Sequence, residues 1–255
     1  DLDGVTIATD AIEQLLERLA SAQIALTPQH ADIVGDAYQA LLEYLEHVLS
    51  GMQQQALRLY PYHKAVLEAL GAPRIHPADL FFAQLAEPLE LPAMEGGRMP
   101  QALPPAAYAG LRQRFETGLL PFLKNSDPAS EARGATAMRA VIAEMEQAQT
   151  APQARTFWWV MHGFAEAVCC GQIAGGRLVK QLFALLNLQI RHLAQGSQAA
   201  SGTLLGDALF FIAQIEQPLL LIQGRDDEYG TLAQLDRIEA RVKGPATRLV
   251  LADCG

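Results

Sequence analysis

The chain has 255 residues, of which half are hydrophobic and 18% charged, and 19 Lys and Arg stand against 28 Asp and Glu for a formal charge of -9. That composition excludes a disordered chain and disfavours a nucleic-acid partner, because phosphate binding needs a basic face. The length allows one large or two ordinary domains with an ample core.

No apolar run is long enough to cross a bilayer and no signal peptide opens the chain, so no membrane insertion is expected. Three cysteines, two of them adjacent (Cys169 and Cys170), make no disulfide framework and favour a cytoplasmic setting. The chain opens at Asp1 and stops at Gly255, and it reads as a fragment.

Asp10 followed by Glu13 reads as a capping box, with Ile12, Leu15, Leu16 and Leu19 repeating behind it at helical spacing. Thr27-Pro28 reads as a cap and a first-turn proline. From Ile33 through Leu41, Leu42, Leu45 and Leu49 to Met52, one long apolar stripe is expected, with Gly51 near its end. A shorter helix spans Pro61 to Leu70 and closes at Gly71. Prolines and glycines from Pro88 to Pro105 then interrupt any period, which predicts a linker over 83–105. Helices are expected at about 106–124, 129–149, 152–170, 174–195 and 202–215. No fixed repeat period is visible, which excludes a solenoid.

After Pro218 the pattern changes. Leu219–Ile222 and Arg248–Leu251 read as strands flanking a polar loop and a helix over 231–242, the unit of a parallel sheet. The expected fold class is therefore mainly α. Two helical bundles, 1–82 and 106–215, are joined by the linker and followed by a strand-helix-strand tail over 216–255. Two such strands expose unpaired edges, and they are expected to pair between molecules or remain poorly ordered.

Chemical candidates are few. Histidine phosphotransfer needs an exposed His on a helix with a Lys three residues on, usually as H-x-x-K-G. His47-Val-Leu-Ser-Gly51 and His192-Leu-Ala-Gln-Gly196 come nearest, and both lack the Lys whose charge would hold a phosphoryl oxygen. They are weak phospho-acceptor candidates, better read as surface histidines near helix C-termini. His63, His76 and His162 do not fit the pattern.

No metal-ligand quartet is recognisable and no cofactor is implied. The Cys169-Cys170 pair reads as buried small hydrophobes closing an apolar helix. Both tryptophans fall in one segment, where Phe157, Trp158, Trp159 and Phe164 are candidate core or interaction anchors and Gly163 would allow close helix contact.

Three stretches carry a resemblance: His76-Pro-Ala-Asp-Leu-Phe-Phe82, Phe157-Trp-Trp-Val160 with Gly163-Phe164, and Leu204-x-x-Asp207-Ala-Leu-Phe-Phe-Ile212. Residues 5–214 resemble the N-terminal helical region of chemotaxis-type histidine kinases that control type IV pili and twitching motility. Without H-x-x-K-G, the segment resembles a degenerate phosphotransfer domain. The resemblance implies a signalling or scaffolding role in a two-component-like chemosensory system, with protein partners, an oligomer allowed and catalysis housed elsewhere.

The tail, Gly224-Arg-Asp-Asp227 and Leu249-Val-Leu-Ala-Asp-Cys-Gly255, resembles the end of an α/β-hydrolase. That resemblance makes Asp227 a vestigial triad acid and residues 214–218 a seam between two folds. No nucleophile elbow G-x-S-x-G is present, so an enzyme reading requires a nucleophile and a His supplied outside this chain. Asp1-Leu-Asp3-Gly4-Val5 also matches the opening loop of haloacid-dehalogenase-type phosphatases, but no strand can precede it, and the match is read as coincidence.

Overall fold

The computed structural model describes residues 2–52, 54–82, 101–124, 127–197 and 201–215, with the backbone of 219–224 and 246–251. The chain divides into two units, Asp1–Leu89 and Glu90–Gly255. The described residues are mainly helical.

In the first unit, α1 (Asp3–Ala20) and α2 (Pro28–Leu49) each pack on α3 (Tyr60–Leu70). Among its described residues are also two 3-10 turns, Ala56–Leu59 and Pro77–Leu80. The start of α1 corrects the expectation at Asp10, which lies in mid-helix, exposed, seven residues past the first helical residue. Nothing between Gly4 and Asp10 stops a helix, and Gly4, Ala8 and Ala11 form a small buried face. A Cβ on Gly4 would fall 2.3 Å from that of Ala56, so contact with the 3-10 turn carries the helix back beyond its local cap signal. Asp3 thus belongs to a helix, not to the loop of a phosphatase-like motif.

α2 begins as the sequence predicts, with Pro28 in its first turn and Thr27 as N-cap. The reciprocal capping bond comes from an imidazole where a Glu or Gln is usual: the Thr27 amide donates to His30 Nδ1 at 3.2 Å. The long stripe does not form one buried face. Ala37, Ala40, Leu41 and Tyr44 are buried, whereas Leu42, Leu49 and Met52 are exposed. α3 ends at Gly71, whose φ of 63° suits the left-handed C-terminal position. Arg18 of α1 donates to the Leu70 carbonyl at 3.2 Å, satisfying a carbonyl that the helix end leaves free.

The second unit contains α4 (Pro105–Lys124), α5 (Pro128–Gln147), α6 (Pro152–Cys169), α7 (Arg177–Ala194) and α8 (Gly202–Ile212). Their bounds lie within three residues of the expected spans. α4 packs on α5 and α7, α5 on α6, and α8 on both α6 and α7, which closes a ring around one core. Asp127 caps α5, accepting from the Ser130 amide at 2.8 Å, and hydrogen bonding by Ser130 holds its carboxyl below the usual range.

The ring is tightest where α4 crosses α5. A Cβ on Gly118 would lie 2.8 Å from the Gly134 carbonyl oxygen, and one on Gly134 would lie 2.5 Å from the Gly118 oxygen. Close helix contact had been expected at Gly163 instead. A Cβ there would meet nothing within 4 Å, because that glycine does not face a neighbouring helix closely.

Of the linker expected at 83–105, residues 101–104 are irregular and Pro105 opens α4; the remainder lies outside the described residues. Beyond α8, β1 (Leu219–Gly224) and β2 (Ala246–Leu251) pair in parallel, Leu219 opposite Ala246 and Gly224 opposite Leu251. The two strands thus pair with each other, as the unit of a parallel sheet requires. The helix expected between them, and Asp227, lie outside the described residues.

Candidate functional site

The aromatic segment of α6 sits at the centre of the second unit. Phe157, Trp158 and Phe164 are at most 2% exposed, while Trp159, about 100° further round the helix, is half-buried. Phe164 meets Phe183 of α7 at 5.2 Å between ring centroids and Phe211 of α8 at 5.8 Å; Phe122 of α4 meets Phe183 edge-on at 5.3 Å. Phe183 is the hub joining α4, α6 and α7 through tilted and edge-on ring contacts, the arrangements that aromatic quadrupoles favour.

Ion pairs lace the outside of the same helices. Arg114 of α4 forks onto Glu144 of α5 at 2.7 and 2.6 Å, and Arg139 of α5 pairs with Glu166 of α6. Lys180 of α7 reaches Glu131 at 3.1 Å with its ammonium 5.4 Å from the Phe122 ring centre.

The two phospho-acceptor candidates belong to different units. His47 is half-buried in the last turn of α2, a helix with no Lys or Arg. His192 is exposed in the last turn of α7, with Gln195 where a phosphoryl-holding Lys would stand.

The cysteine reading needs correction. Cys169 is half-buried, but Cys170, just past the end of α6, is exposed, and its Sγ lies 3.5 Å from Glu166 Oε1. Burial raises the Cys169 thiol pKa and the Glu166 carboxylate raises that of Cys170, so neither is primed as a thiolate. Among the described residues, no group of three His, Cys, Asp or Glu side chains could hold a metal ion, and no helix is long and apolar enough to cross a membrane.

A cleft of about 350 Å³ in the first unit went unread in the sequence. α1 contributes Asp10 and Gln14, α3 contributes His63 and Leu67, and the 3-10 turn region contributes Arg74 and Asp79. Arg74 holds Asp79 through Nε and Nη2, each 2.9 Å from Oδ1, and the His76 ring caps the turn by accepting from the Ala78 amide at 3.0 Å. The His76–Phe82 motif thus does structural work, and Leu80 anchors it in the core.

His63 is 5% exposed and its Nδ1 has no hydrogen-bond partner among the described residues. Burial lowers its pKa, against a weaker opposing pull from Asp79, which keeps the ring neutral. The cleft offers carboxylate, amide and imidazole groups to a ligand, but its lining contains no Ser, Thr or Cys nucleophile for His63 to activate. Burial, then Asp79 and Glu68, raise the pKa of Tyr60 nearby, so that phenol also stays protonated. Sequence reasoning dismissed His63 for lacking a phosphotransfer pattern. Its place among Val66 and Leu70 on the buried side of α3 was the available signal.

Residues 100–237 match the family model described as the FimL scaffold protein second domain. The chain belongs to that family. The match covers the whole five-helix ring and supports the pilus chemotaxis scaffold relationship expected from the resemblance. It also runs through 214–218 and into the tail, which gives no support to a seam there or to an α/β-hydrolase fragment. Comparison with curated proteins and with solved structures finds no match. A scaffold family implies protein partners and supports a role in holding them over one in catalysis.

Proposed function

We propose that the chain is a non-catalytic scaffold module of a cytoplasmic chemosensory system controlling type IV pili, with helical modules at 1–82 and 106–215 that derive from phosphotransfer bundles and no longer carry phosphate. The observation that carries this reading is the scaffold-family match over the five-helix ring. The surroundings of the histidines support it. A phosphoryl group on His47 would sit on a helix whose charged side chains are Asp32, Asp36, Glu43 and Glu46, and repulsion would oppose it.

The test incubates the chain with an active chemotaxis-type kinase core and labelled ATP. Neither His47 nor His192 should acquire acid-labile label above a His→Gln control. Label at either position overturns the degenerate reading.

A further inference from the structure

The exposed side of α2 has an order that its buried side does not explain. Ala31, Gly35, Tyr38, Leu42, Leu45 and Leu49 are spaced 4, 3, 4, 3 and 4 residues apart, the a and d positions of a heptad over nearly three repeats. Tyr38, Leu42 and Leu49 are 45%, 56% and 86% exposed, Ala31 and Gly35 are also exposed, and Leu45 is half-buried. Gly35 faces open space, since a Cβ there would meet nothing within 4 Å. The side of α2 that meets α3 is a different one, carrying Ala37, Leu41 and Tyr44. A helix thus presents a second apolar seam, and burying leucines at such a seam is what drives helix pairing.

Charge decides what covers it. α2 contains four carboxylates, Asp32, Asp36, Glu43 and Glu46, and no Lys or Arg. Asp32, Gln39 and Glu46 occupy the flanking e positions of the heptad, all three exposed. Two copies paired antiparallel through this seam would set Asp32 of one against Glu46 of the other. Paired in parallel, they would set Glu46 of one against Leu41 of the other, a side chain already buried within its own unit. Both arrangements carry a cost, and an anionic lipid surface would be repelled.

We infer that the α2 seam is a docking surface for one amphipathic helix of a partner protein, with leucine-type residues at its own seam positions and Lys or Arg beside them. This rests on the scaffold reading and names the chemistry of one partner.

The experiment uses the full chain and two synthetic 24-residue peptides with the same Leu seam, one flanked by Lys and the other by Glu. The Lys-flanked peptide should bind about tenfold more tightly or better, and added salt should weaken it. L42S/L49S should abolish binding while leaving the melting curve unchanged, since both side chains are exposed. D32K/E46K should reverse the preference toward the Glu-flanked peptide. Equal binding of both peptides, no binding of either, or concentration-dependent self-association abolished by L42S/L49S would overturn the proposal. Because neither peptide tests phosphorylation, its failure is separable from failure of the scaffold reading, which the labelled-ATP experiment addresses.

Discussion

The two units solve the same problem, burying helix faces, with different materials. The second unit fills a closed ring of five helices with large rings: Phe115, Phe122, Phe157, Trp158, Phe164 and Phe183 are all nearly or fully buried. The first packs two helices on a third through a core rich in Ala8, Ala11, Ala37 and Ala40, with Ile12, Leu15, Leu41, Leu59, Val66, Leu70 and Leu80 as its aliphatic members, Tyr44 as its buried aromatic and, among the described residues, no fully buried Phe or Trp. Apolar area removed from water sets the scale of stabilisation, so the ring has more to draw on for each helix it orders. Its exposed large hydrophobics are Leu188 and one adjacent pair, Leu120 and Leu123, whereas those of α2 form a longer row. The difference teaches that a closed ring leaves few apolar faces to offer a partner, while an open packing of three helices retains one.

The largest expected effect would break the contrast at its strong end. Trp158→Ala should destabilise the second unit by about 3–5 kcal/mol, the usual consequence of deleting a large buried aromatic. Chemical denaturation of the full chain followed by circular dichroism would report it. Trp159→Ala, at a half-buried position, should cost clearly less. If the two substitutions shift the transition equally, α6 is not packed as described.

A pair of adjacent residues sharpens the contrast in the first unit. Leu41 is 6% exposed and Leu42 is 56% exposed. Leu41→Ala should therefore cost about 2–5 kcal/mol, and Leu42→Ala should stay within about 0.5 kcal/mol of the parent. Urea midpoints of the two variants compare them directly. A costly Leu42→Ala would mean that the second seam is already covered within the chain.

The smallest effect concerns pH. His63 has its pKa lowered by burial, so the folded chain binds fewer protons there than the unfolded chain. Stability from this group is constant above the ordinary pKa of 6.5, falls as pH drops below it, and levels off once the folded pKa is passed. Asp10, Arg74 and Asp79 line the same cleft and are held constant by comparing His63→Gln with the parent. The variant should lose part of the decline in melting temperature between pH 7 and pH 5. An unchanged slope would mean that His63 is solvated and free to protonate.

Much of the helical layout is legible in the sequence because its signals are local. Thr27-Pro28 and Asp127-Pro128 start helices, Gly71 ends one, and a 3.6-residue apolar period fills the spans between. The chain by itself therefore determines where α2 through α8 run and which residue types they offer for burial. It also carries, in Phe157–Phe164, the aromatic cluster that becomes the centre of the ring.

What tertiary structure decides is which of several apolar faces is used. The stripe of α2 carries more apolar residues than one helix face can bury, and contact with α3 selects Leu41 over Leu42. Helical spacing places Cys169 and Cys170 about 100° apart, and only packing tells which is covered. Gly118 and Gly163 look alike in sequence, yet only Gly118 faces another backbone. The start of α1 at Asp3, against its cap signal at Asp10, depends on Ala56, 52 positions beyond Gly4. The cleft around His63 gathers residues 10, 14, 63, 74 and 79 from three segments, a convergence that no local pattern encodes. Periodicity specifies a helix and its faces; only the neighbours it meets in space specify which face is buried and which remains for a partner.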